Sequence, residues 1–429
     1  MYFLLAIVLI AAPAEPPLLP PVLTLQDALR LFHERSFDLL LADAQLATAR
    51  GDEALARAIP NPAVNGSVGK SFGYDASTCP SPGCSSISIG AGLSDQAALS
   101  DLLFGKRGLR IDAARAALDA ARLSRDDAER TLRLVLEQAV VDAALQRAQL
   151  DLARVLLDFA RATQELNGRR YQAGAISEAE LARADVARLE AEQAVDLAGQ
   201  AELAARSQVA FLLGVRGPPP DFRIDPELLE QAAHVAVPGA DARGLLDSAL
   251  QGRPDLRALQ QQETRARAAL DLARRQRIPE VTLSAQYAQE GTGSAALTPP
   301  TLTFGASLPL PLFYQQQGEI LRAEADLRTQ SVQREKAAAQ LTSEVLTAFA
   351  AFTASRKLVE RMRGGLLQRA ERARDLTRVQ YEKGAARLLE LLDAQRAFAQ
   401  THAEYLQDLH DLWMSLFRLE AAVGRDLRS

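Results

Sequence analysis

The sequence predicts a mainly α-helical chain that carries two pairs of short strands and is built as two tandem repeats. Alanine, leucine, arginine and glutamate dominate its 429 residues, and aromatic residues make up only 5%. This mix favours long helices over a large sheet. Apolar residues recur at alternating steps of four and three along several long segments, and the second half of the chain repeats motifs of the first.

Equal spacing between repeated motifs defines the two copies. The turn motif at 171–174 recurs at 381–384, an offset of 381 − 171 = 210 residues. Gly214, which ends one long helical pattern, recurs as Gly424 at the same offset. The proline-rich and glycine-rich segment 215–240 breaks the helical pattern, so it is predicted to link the copies.

Each copy is predicted to contain a helix, two strands, a long helix, a tip turn and a final helix. For the first repeat, residues 24–214, we expect strands near 62–72 and 86–93, a long helix near 111–168, a tip turn at 171–177 and a helix to 214. For the second repeat, residues 241–424, we expect strands near 281–288 and 302–310, a long helix near 318–380, a tip turn at 381–387 and a helix to 424.

The N-terminal residues are typical of an export signal. Tyr2 to Ala12 form an uninterrupted apolar run, and Ala12-Pro13-Ala14 supplies a small-x-small cleavage pattern. The run is too short to span a bilayer as a helix, so residues 1–14 are predicted to be a signal peptide. A frayed N-terminal segment is the alternative. No later segment reaches ~18 uncharged apolar residues, so no transmembrane helix is expected.

The long helices carry the spacing of coiled coils. In the first repeat the apolar positions are Val141, Leu145, Ala148, Leu152, Val155 and Phe159. In the second they are Leu341, Val345, Ala348, Phe352, Ser355, Val359, Met362 and Leu366. A helix over 111–168 would be roughly 87 Å long at ~1.5 Å per residue. Such a helix cannot bury its narrow apolar seam in one compact core, so it needs parallel or antiparallel companions.

Three of the four predicted strands, all but the one near 62–72, alternate between apolar residues and small or uncharged polar ones. Ile87, Ile89, Ala91 and Leu93, for example, are separated by serines and glycines. Runs of ~8–10 such residues have the length of a tilted membrane-spanning strand. An ordinary half-buried hairpin is the alternative. If the strands enter a membrane, four are too few to close a barrel, and open sheet edges are costly in lipid. Several chains would then have to share one barrel.

Several classes of function are excluded or left without support. The formal charge of 49 − 54 = −5 and the lack of a basic, aromatic-laced patch argue against nucleic-acid binding. No two of the four histidines lie at i,i+4, and two cysteines cannot form a four-cysteine zinc site. Neither a nucleophile elbow nor a phosphate-binding glycine loop is present, so the chain is not expected to be an enzyme, and no cofactor or metal site is predicted.

This arrangement resembles the TolC-like outer-membrane efflux proteins over nearly the whole mature chain. The resemblance is carried by the duplicated Tyr-x-x-Gly turns, by the helix ends at 212–214 and 422–424, and by Leu308-Pro309-Leu310-Pro311-Leu312-Phe313 followed by Gln317-Gly318-Glu319-Ile320. The last stretch is similar to the heavy-metal branch, the outer channels of cobalt–zinc–cadmium and copper–silver pumps.

The resemblance implies a homotrimer with long coiled-coil helices in a trimeric periplasmic α-barrel. This α-barrel would continue into a shared barrel of 12 membrane strands, four per chain. It also implies three partners: a periplasmic adaptor (membrane fusion) protein, an inner-membrane pump of RND type reached through that adaptor, and the lipid of the outer membrane. The expected location is the outer membrane of a Gram-negative-type cell, with a large periplasmic portion.

Glu390 and Asp393 are the main candidates for the periplasmic aperture. They lie at i,i+3, on one helix face just past the second tip turn. The resemblance implies that these positions line the closed aperture, where threefold symmetry would form two carboxylate rings that favour cations. Solvated helix charges paired with Arg387 and Arg396 are the alternative.

Glu180 is the aperture candidate of the first repeat. Ser177 and Glu180 form a capping box, which by itself is a sufficient structural reason for the glutamate. The second repeat has Arg387 where such a cap would stand, and no capping box is expected there.

The tip turns are predicted to form where the channel closes and the adaptor meets it, as the resemblance implies. Tyr171 and Gly174 belong to the first turn, and Tyr381 and Gly384 to the second. Both glycines suit the left-handed position that ends a helix.

Three side chains are predicted to hold the tip shut by hydrogen bonds between neighbouring coiled coils: Tyr381, Arg387 and Arg170. Opening would then require the adaptor to replace those bonds, which describes a two-state gate.

Cys79 and Cys84 lie in a loop between two predicted membrane strands. In an oxidising space this pair is predicted to form a small loop disulfide. Free thiols or a two-cysteine metal contact are the alternatives, and two titratable thiols in the folded, non-reduced protein would reject the disulfide.

These observations predict the outer-membrane channel of a tripartite efflux system, a passive exit duct for heavy-metal cations. A duct for drugs or other small molecules is the first alternative. A soluble periplasmic coiled-coil adaptor or scaffold is an alternative of another class. It is less favoured because an adaptor has one helical hairpin, whereas this chain has two equivalent hairpins and repeated strand pairs.

Overall fold

The computed structural model describes residues 19–70, 72, 87–235, 241–290 and 300–428. The predicted signal peptide and both cysteines of the predicted disulfide, Cys79 and Cys84, lie outside these residues, so both remain predictions.

The two halves of the chain share a similar, though not identical, order of helices and strands. The first half contains β1 (Val22–Leu23), α1 (Leu25–Arg35), α2 (Phe37–Arg57), β2 (Ala63–Lys70), β3 (Ile87–Ser94), α3 (Ala98–Leu103), α4 (Lys106–Gln172) and α5 (Glu178–Leu212). The second contains β4 (Arg223–Ile224), α6 (Leu228–Gln231), α7 (Ala242–Gly252), α8 (Pro254–Arg275), β5 (Thr282–Glu290), β6 (Thr301–Ser307), α9 (Gln317–Arg361), α10 (Leu367–Glu382) and α11 (Leu388–Val423).

The chain divides into two compact units. One comprises residues up to 43, 126–253 and 339–429, and the other comprises 44–125 and 254–338. We call the first the helical unit and the second the sheet unit. No helix in the described part of the chain combines the length and the apolar composition needed to cross a membrane.

A four-stranded antiparallel sheet is the central feature of the sheet unit. Its order is β2-β3-β5-β6, so each repeat contributes one hairpin and the hairpins join through β3 and β5. The outer edges of β2 and β6 have no partner among the described strands.

One face of this sheet is apolar. Val64 lies opposite Leu93, and Ala285 lies opposite both Leu93 and Phe304. Val64 is 77% exposed and Phe304 is 78% exposed in the single chain. Such a face is unfavourable in water and requires apolar surroundings.

The other face is small and polar because glycines lie opposite serines. Gly69 faces Ser88, Gly90 faces Ser67 and Gly305 faces Ser284. A Cβ at Gly90 would meet the Ser67 Oγ at 2.5 Å, and one at Gly305 would meet the Ser284 Oγ at 2.9 Å. These glycines therefore leave room for the hydroxyls and keep this face shallow.

Charged side chains join the end of one strand to the next strand and to a helix of the sheet unit. The Asp95 carboxylate accepts the backbone N–H of Leu283 at 2.8 Å. The buried ammonium of Lys106 lies 3.3 Å from the Glu280 carboxylate. These contacts tie residues of the first repeat to residues of the second.

The core of the helical unit lies around the C-terminal half of α11. Trp413 stacks on Phe417 with ring centroids 5.1 Å apart and donates its Nε1–H to the carbonyl of Leu228 at 2.8 Å. The Tyr405 hydroxyl donates to the Glu230 carboxylate at 2.8 Å. The inter-repeat segment around α6 is therefore part of this core and not a free linker.

The last residues fold back onto α4 and α11 in an arrangement that we call the C-terminal clasp, formed by Glu137, Glu420, Asp426 and Arg428. Glu420 accepts the Leu427 N–H at 2.9 Å and the Arg428 Nε–H at 3.1 Å. Arg428 also donates to Glu137 at 3.2 Å. Burial raises the pKa of Glu420 to about 7, although the charge of Arg428 opposes this shift.

A single π-helical turn, Met362–Leu366, separates α9 from α10. Gly365 has a φ of 137° there, which is not a helical value. The buried or half-buried seam passes from Val359 through Met362 to Leu367, a step of 367 − 362 = 5 residues where a regular seam steps by four. Leu366, which the 4,3 pattern places on the seam, is 51% exposed. The extra residue of the π turn is the physical reason for this difference.

Candidate functional site

The two tip turns of the helical unit have the same hydrogen bonds. After α4, the Gly174 N–H donates to the carbonyl of Tyr171 at 2.9 Å and the Ala175 N–H donates to the carbonyl of Arg170 at 2.8 Å. After α10, the Gly384 N–H donates to the carbonyl of Tyr381 at 3.0 Å and the Ala385 N–H donates to the carbonyl of Gln380 at 2.8 Å. Both are Schellman motifs with glycine in the left-handed region, at φ 72° and 77°.

The helices that leave the turns are capped by two glutamates, 390 − 180 = 210 residues apart. Glu180 accepts the Ser177 N–H at 3.3 Å, and Ser177 accepts the Glu180 N–H at 3.3 Å, which completes a capping box. Glu390 accepts the Arg387 N–H at 3.1 Å. The expectation that the second repeat has no such cap was wrong, because the glutamate caps without a serine partner.

The repeat mates Tyr171 and Tyr381 differ in their surroundings. Tyr171 is 42% exposed, whereas Tyr381 is 4% exposed and packs with Ala184, Leu388 and Leu391. The second tip turn is therefore anchored in a small apolar cluster. The same tyrosine in the first turn is free to contact solvent or another molecule.

A group of three residues, which we call the tip lock, joins α4 to the end of α10: Asn167, Arg170 and Tyr381. The Tyr381 hydroxyl donates to the Asn167 Oδ1 at 2.6 Å. The Arg170 guanidinium donates to the carbonyls of Tyr381 at 2.9 Å and Glu382 at 3.1 Å. It also lies 4.6 Å from the centre of the Tyr381 ring.

This geometry stabilises the C-terminal end of α10. Arg170 binds the last two carbonyls of α10, of which that of Tyr381 also accepts the Gly384 N–H, and its positive charge favours the negative end of the helix dipole. Its position over the ring adds a cation–π contact. Arg387, by contrast, contributes its backbone N–H to the Glu390 cap, and its side chain is exposed.

Asn167 is the member of the tip lock that sequence reasoning missed. It is fully buried, and its amide donates to the Thr163 carbonyl at 2.8 Å. No sequence signal marked it, because the 4,3 seam of α4 continues from Phe159 to Ala162 and Leu166 and does not include position 167. A buried amide of this kind needs a partner, which Tyr381 supplies.

The two aperture candidates are both exposed at the start of α11. Among the described residues, neither Glu390 nor Asp393 forms an ion pair with Arg387 or Arg396, and Asp393 has no hydrogen-bonded partner. The repeat mate of Asp393 is Arg183, since 393 − 183 = 210. The uncompensated pair of carboxylates is therefore a property of the second tip alone. No group of three or more histidine, cysteine or acidic side chains in the described part of the chain is placed to hold a metal ion.

Known proteins with similar sequences indicate the family of the chain independently of the geometry of the tip. The sequence profile of the outer membrane efflux protein family matches residues 28–215 and 245–425. The cobalt-zinc-cadmium resistance protein CzcC of Cupriavidus metallidurans is 25% identical over 94% of this chain and 90% of its own length. The pyoverdine export outer membrane protein OpmQ of Pseudomonas aeruginosa is 29% identical over 91% of this chain and 81% of its own length.

A solved structure supports the same fold. CusC, described in work on transmembrane channel formation, superposes with a TM-score of 0.75 over 94% of this chain and 92% of its own. Its sequence identity to this chain is 19%, so the likeness concerns the fold.

Proposed function

Because the chain belongs to the outer membrane efflux protein family, we propose that it is the outer-membrane exit duct of a tripartite efflux system. In this role the chain performs no chemistry of its own. The structural observation that carries the proposal is the sheet with one exposed apolar face, one small polar face and two open edges. Such a sheet would be unfavourable in a soluble adaptor or scaffold, because its apolar face would lie in water. The family match also does not favour an adaptor or scaffold.

The sheet supports an assembly in which several copies close a common barrel. Neighbouring strands are antiparallel throughout, so β6 runs opposite to β2. An edge β6 of one copy therefore pairs with β2 of the next in the same antiparallel sense. Three copies give a barrel of 12 strands, four from each chain. The apolar face then meets lipid and the glycine–serine face lines the passage.

The helical unit supplies the periplasmic part of the duct and its closed end. The tip lock holds the second hairpin to the first, and the exposed carboxylates of Glu390 and Asp393 lie directly after it. In a threefold assembly these form two rings that attract cations. Glu180, engaged in its capping box, contributes at most a third ring. A periplasmic adaptor contacts the tip turns and links the duct to an inner-membrane pump of RND type.

Heavy-metal cations are the proposed substrates. The likeness to CzcC supports this class, and the cation-attracting carboxylates are consistent with it. The likeness to OpmQ supports the alternative that the duct passes small organic molecules. A duct has no specificity beyond its aperture, so the pump decides between these substrates.

The first experiment measures the mass of the complex extracted by mild detergent from the outer-membrane fraction. We expect a trimer that forms cation-selective pores in planar lipid bilayers. A soluble monomer or dimer in the periplasm would contradict the proposal.

The second experiment removes the aperture charges. Glu390→Gln with Asp393→Asn should abolish block by divalent cations and weaken cation selectivity. Glutamine can still accept the Arg387 N–H, so the cap is kept. Glu190→Gln with Asp196→Asn removes the same charge from α5 and is the matched control. Unchanged block and selectivity in the aperture variant would reject the rings.

A further inference from the structure

The π turn between α9 and α10 is not explained by packing. A Cβ at Gly364 would meet nothing within 4 Å, and one at Gly365 would meet only the Arg369 Nε at 3.8 Å. Glycine is therefore required at 365 for its backbone alone, since a φ of 137° is a conformation that other residues avoid. Such an outlier is a reason to look for a function.

The π turn is absent from the sister repeat. The positions 210 residues before Gly364 and Gly365 are Arg154 and Val155, which lie inside the uninterrupted α4. Nor does the turn hold a residue inserted in the second repeat. The tip tyrosine follows the helix start by 381 − 317 = 64 positions in the second repeat and by 171 − 106 = 65 positions in the first.

Helix α10 carries two alternative seams, one residue apart. The seam in use packs against α11 and consists of Leu367, Ala370, Arg374, Thr377 and Tyr381. The unused seam continues the regular 4,3 spacing from Met362 and consists of Leu366, Arg369, Ala373, Leu376 and Gln380.

The two seams are closely balanced in composition. The seam in use includes two polar residues, Arg374 and Thr377, and Arg374 packs 4.0 Å from the ring centre of Phe398 on α11. The unused seam holds two leucines, Leu366 and Leu376, which are 51% and 57% exposed. Each seam thus holds three residues with a large apolar part and two more polar ones: Leu367, Ala370 and Tyr381 with Arg374 and Thr377, against Leu366, Ala373 and Leu376 with Arg369 and Gln380.

A change of register would be confined to α10, because the N-terminal end of the π turn is held. Met362, its first residue, is buried, and the Arg363 guanidinium donates to the Ala233 carbonyl at 3.4 Å. At the C-terminal end of α10 the tip lock binds Tyr381, and this contact must break before α10 can move. The π turn therefore lies between a fixed segment and a releasable one.

We propose that Met362–Leu366 is a register switch that releases the tip lock. In the register seen here, the extra residue of the π turn keeps Tyr381 against Asn167. In the second register the turn becomes regular α-helix, and α10 rotates by about 100° and lengthens by about 1.5 Å. Leu366 and Leu376 then replace Leu367 and Thr377 on the seam, and Tyr381 leaves Asn167.

Such a switch makes α10 of the second repeat a moving helix and leaves the first repeat rigid. Two discrete packings of one helix are a recognised way to amplify a small change at one end of an element. The effect on the passage rests on the duct proposed above. The change of register itself does not, and it can be measured separately.

Two changes at one position have opposite predicted effects. Gly365→Ala disfavours the positive φ and should shift the population toward the second register about tenfold. Deletion of Gly365 removes the extra residue while it keeps Leu367 and Tyr381 in phase with Met362, so it should fix the locked register. Gly199→Ala, at a helical glycine of α5 whose Cβ would meet nothing within 4 Å, is the matched control.

The measurement is the rate of maleimide labelling at single cysteines in the assembled, detergent-solubilised chain, with Cys79→Ser and Cys84→Ser as background. Leu376→Cys should react faster than Thr377→Cys. The quantity compared is the ratio of the labelling rate at Leu376→Cys to that at Thr377→Cys. Gly365→Ala should lower this ratio about tenfold. Deletion of Gly365 and Gly199→Ala should not lower it. A ratio unchanged by Gly365→Ala in a folded chain overturns the switch.

Two further outcomes are decisive. If Leu376→Cys reacts only after the complex dissociates, a second copy covers the unused seam and the switch is rejected. If Gly365→Ala does not fold, Tyr381→Phe serves instead, because loss of the lock should lower the ratio and deletion of Gly365 should restore it. An unchanged ratio with Tyr381→Phe then rejects the switch. Bilayer conductance, recorded in parallel, reports separately on the proposed duct.

Discussion

The hydroxyl of Tyr381 donates a 2.6 Å hydrogen bond to the side-chain oxygen of Asn167, a residue 214 positions earlier in the chain. Both residues are buried, and each lies near the tip of its own helical hairpin, since α4 ends at Gln172 and α10 ends at Glu382. This bond therefore connects the two repeats at the point where each chain reverses direction. Because the Asn167 oxygen has no access to water, the bond is costly to lose.

Tyr381→Phe should weaken the tip without unfolding the chain. In the register seen here the Asn167 oxygen is left buried without this donor, at a cost of about 1–3 kcal/mol, and this cost also favours the second register of α10. We expect faster amide exchange at residues 381–387 and a higher conductance in bilayers. Tyr171→Phe, at the exposed repeat mate, is the control and should change neither. Equal effects of the two changes would contradict the tip lock.

Arg170→Ala should loosen the same end of α10 by another route. It removes two hydrogen bonds to carbonyls and the contact over the Tyr381 ring. Charged hydrogen bonds of this kind contribute about 1.5–3 kcal/mol. Arg169→Ala is the control, because Arg169 is exposed and its nearest carboxylate, that of Glu165, is 4.0 Å away. Amide exchange at 379–384 that does not distinguish the two variants would argue against a structural role for Arg170.

Glycine-to-alanine changes at the tip and in a helix should change the free energy of unfolding in opposite directions. Gly384→Ala places a side chain at a φ of 77° and should lower the thermal midpoint, at a cost of about 1–2 kcal/mol. Gly168→Ala lies inside α4 with nothing within 4 Å of its Cβ, and it should stabilise the chain by roughly 0.5–1 kcal/mol. A stabilising Gly384→Ala would contradict the Schellman geometry of the turn.

The C-terminal clasp should make stability depend on pH in the range above that of ordinary carboxylates. Burial raises the pKa of Glu420 from 4.5 to about 7 in the folded chain. The folded state therefore binds this proton more tightly, and stability falls as the pH rises from about 4.5 to about 7, by up to about 3 kcal/mol. Above that range this contribution is fully lost.

Glu420→Gln tests this dependence. The variant should flatten the change of thermal midpoint between pH 4.5 and 7 and should be the more stable chain at pH 8. Glu404→Gln removes an exposed carboxylate of α11 and should keep the original dependence. Asp426, with a pKa lowered to about 2 by hydrogen bonding and the charge of Arg428 despite partial burial, contributes only in a lower pH range. An unaltered pH profile in Glu420→Gln would place the titration elsewhere.

The periodic features of the fold could be predicted from the sequence. The offset of 210 residues identified both glycine turns, and the Ser177-x-x-Glu180 spacing identified the capping role of Glu180, because these features depend on local backbone geometry that a short motif encodes. The alternation of Ile87, Ile89, Ala91 and Leu93 identified the apolar face of β3 for the same reason.

Contacts between distant segments could not be predicted in this way. Asn167 gave no motif, and only the fold shows that it meets Tyr381. The seam was predicted to pass through Leu366, but one extra residue in a π turn moves it to Leu367. A 4,3 pattern cannot reveal such a step, because Leu366 and Leu367 are equally apolar and the choice between them is made by packing against α11.

The open edges of β2 and β6 have a consequence for biosynthesis. In the proposed duct, a single copy carries two rows of unpaired backbone groups and an apolar sheet face before it meets other copies. Neither water nor hydrocarbon satisfies both, so we expect membrane insertion to be coupled to association, and the folded fraction to depend on the concentration of the chain. At low expression most chains should therefore remain incomplete and open to proteolysis. The amount of assembled protein should consequently rise more steeply than in proportion to the rate of its synthesis.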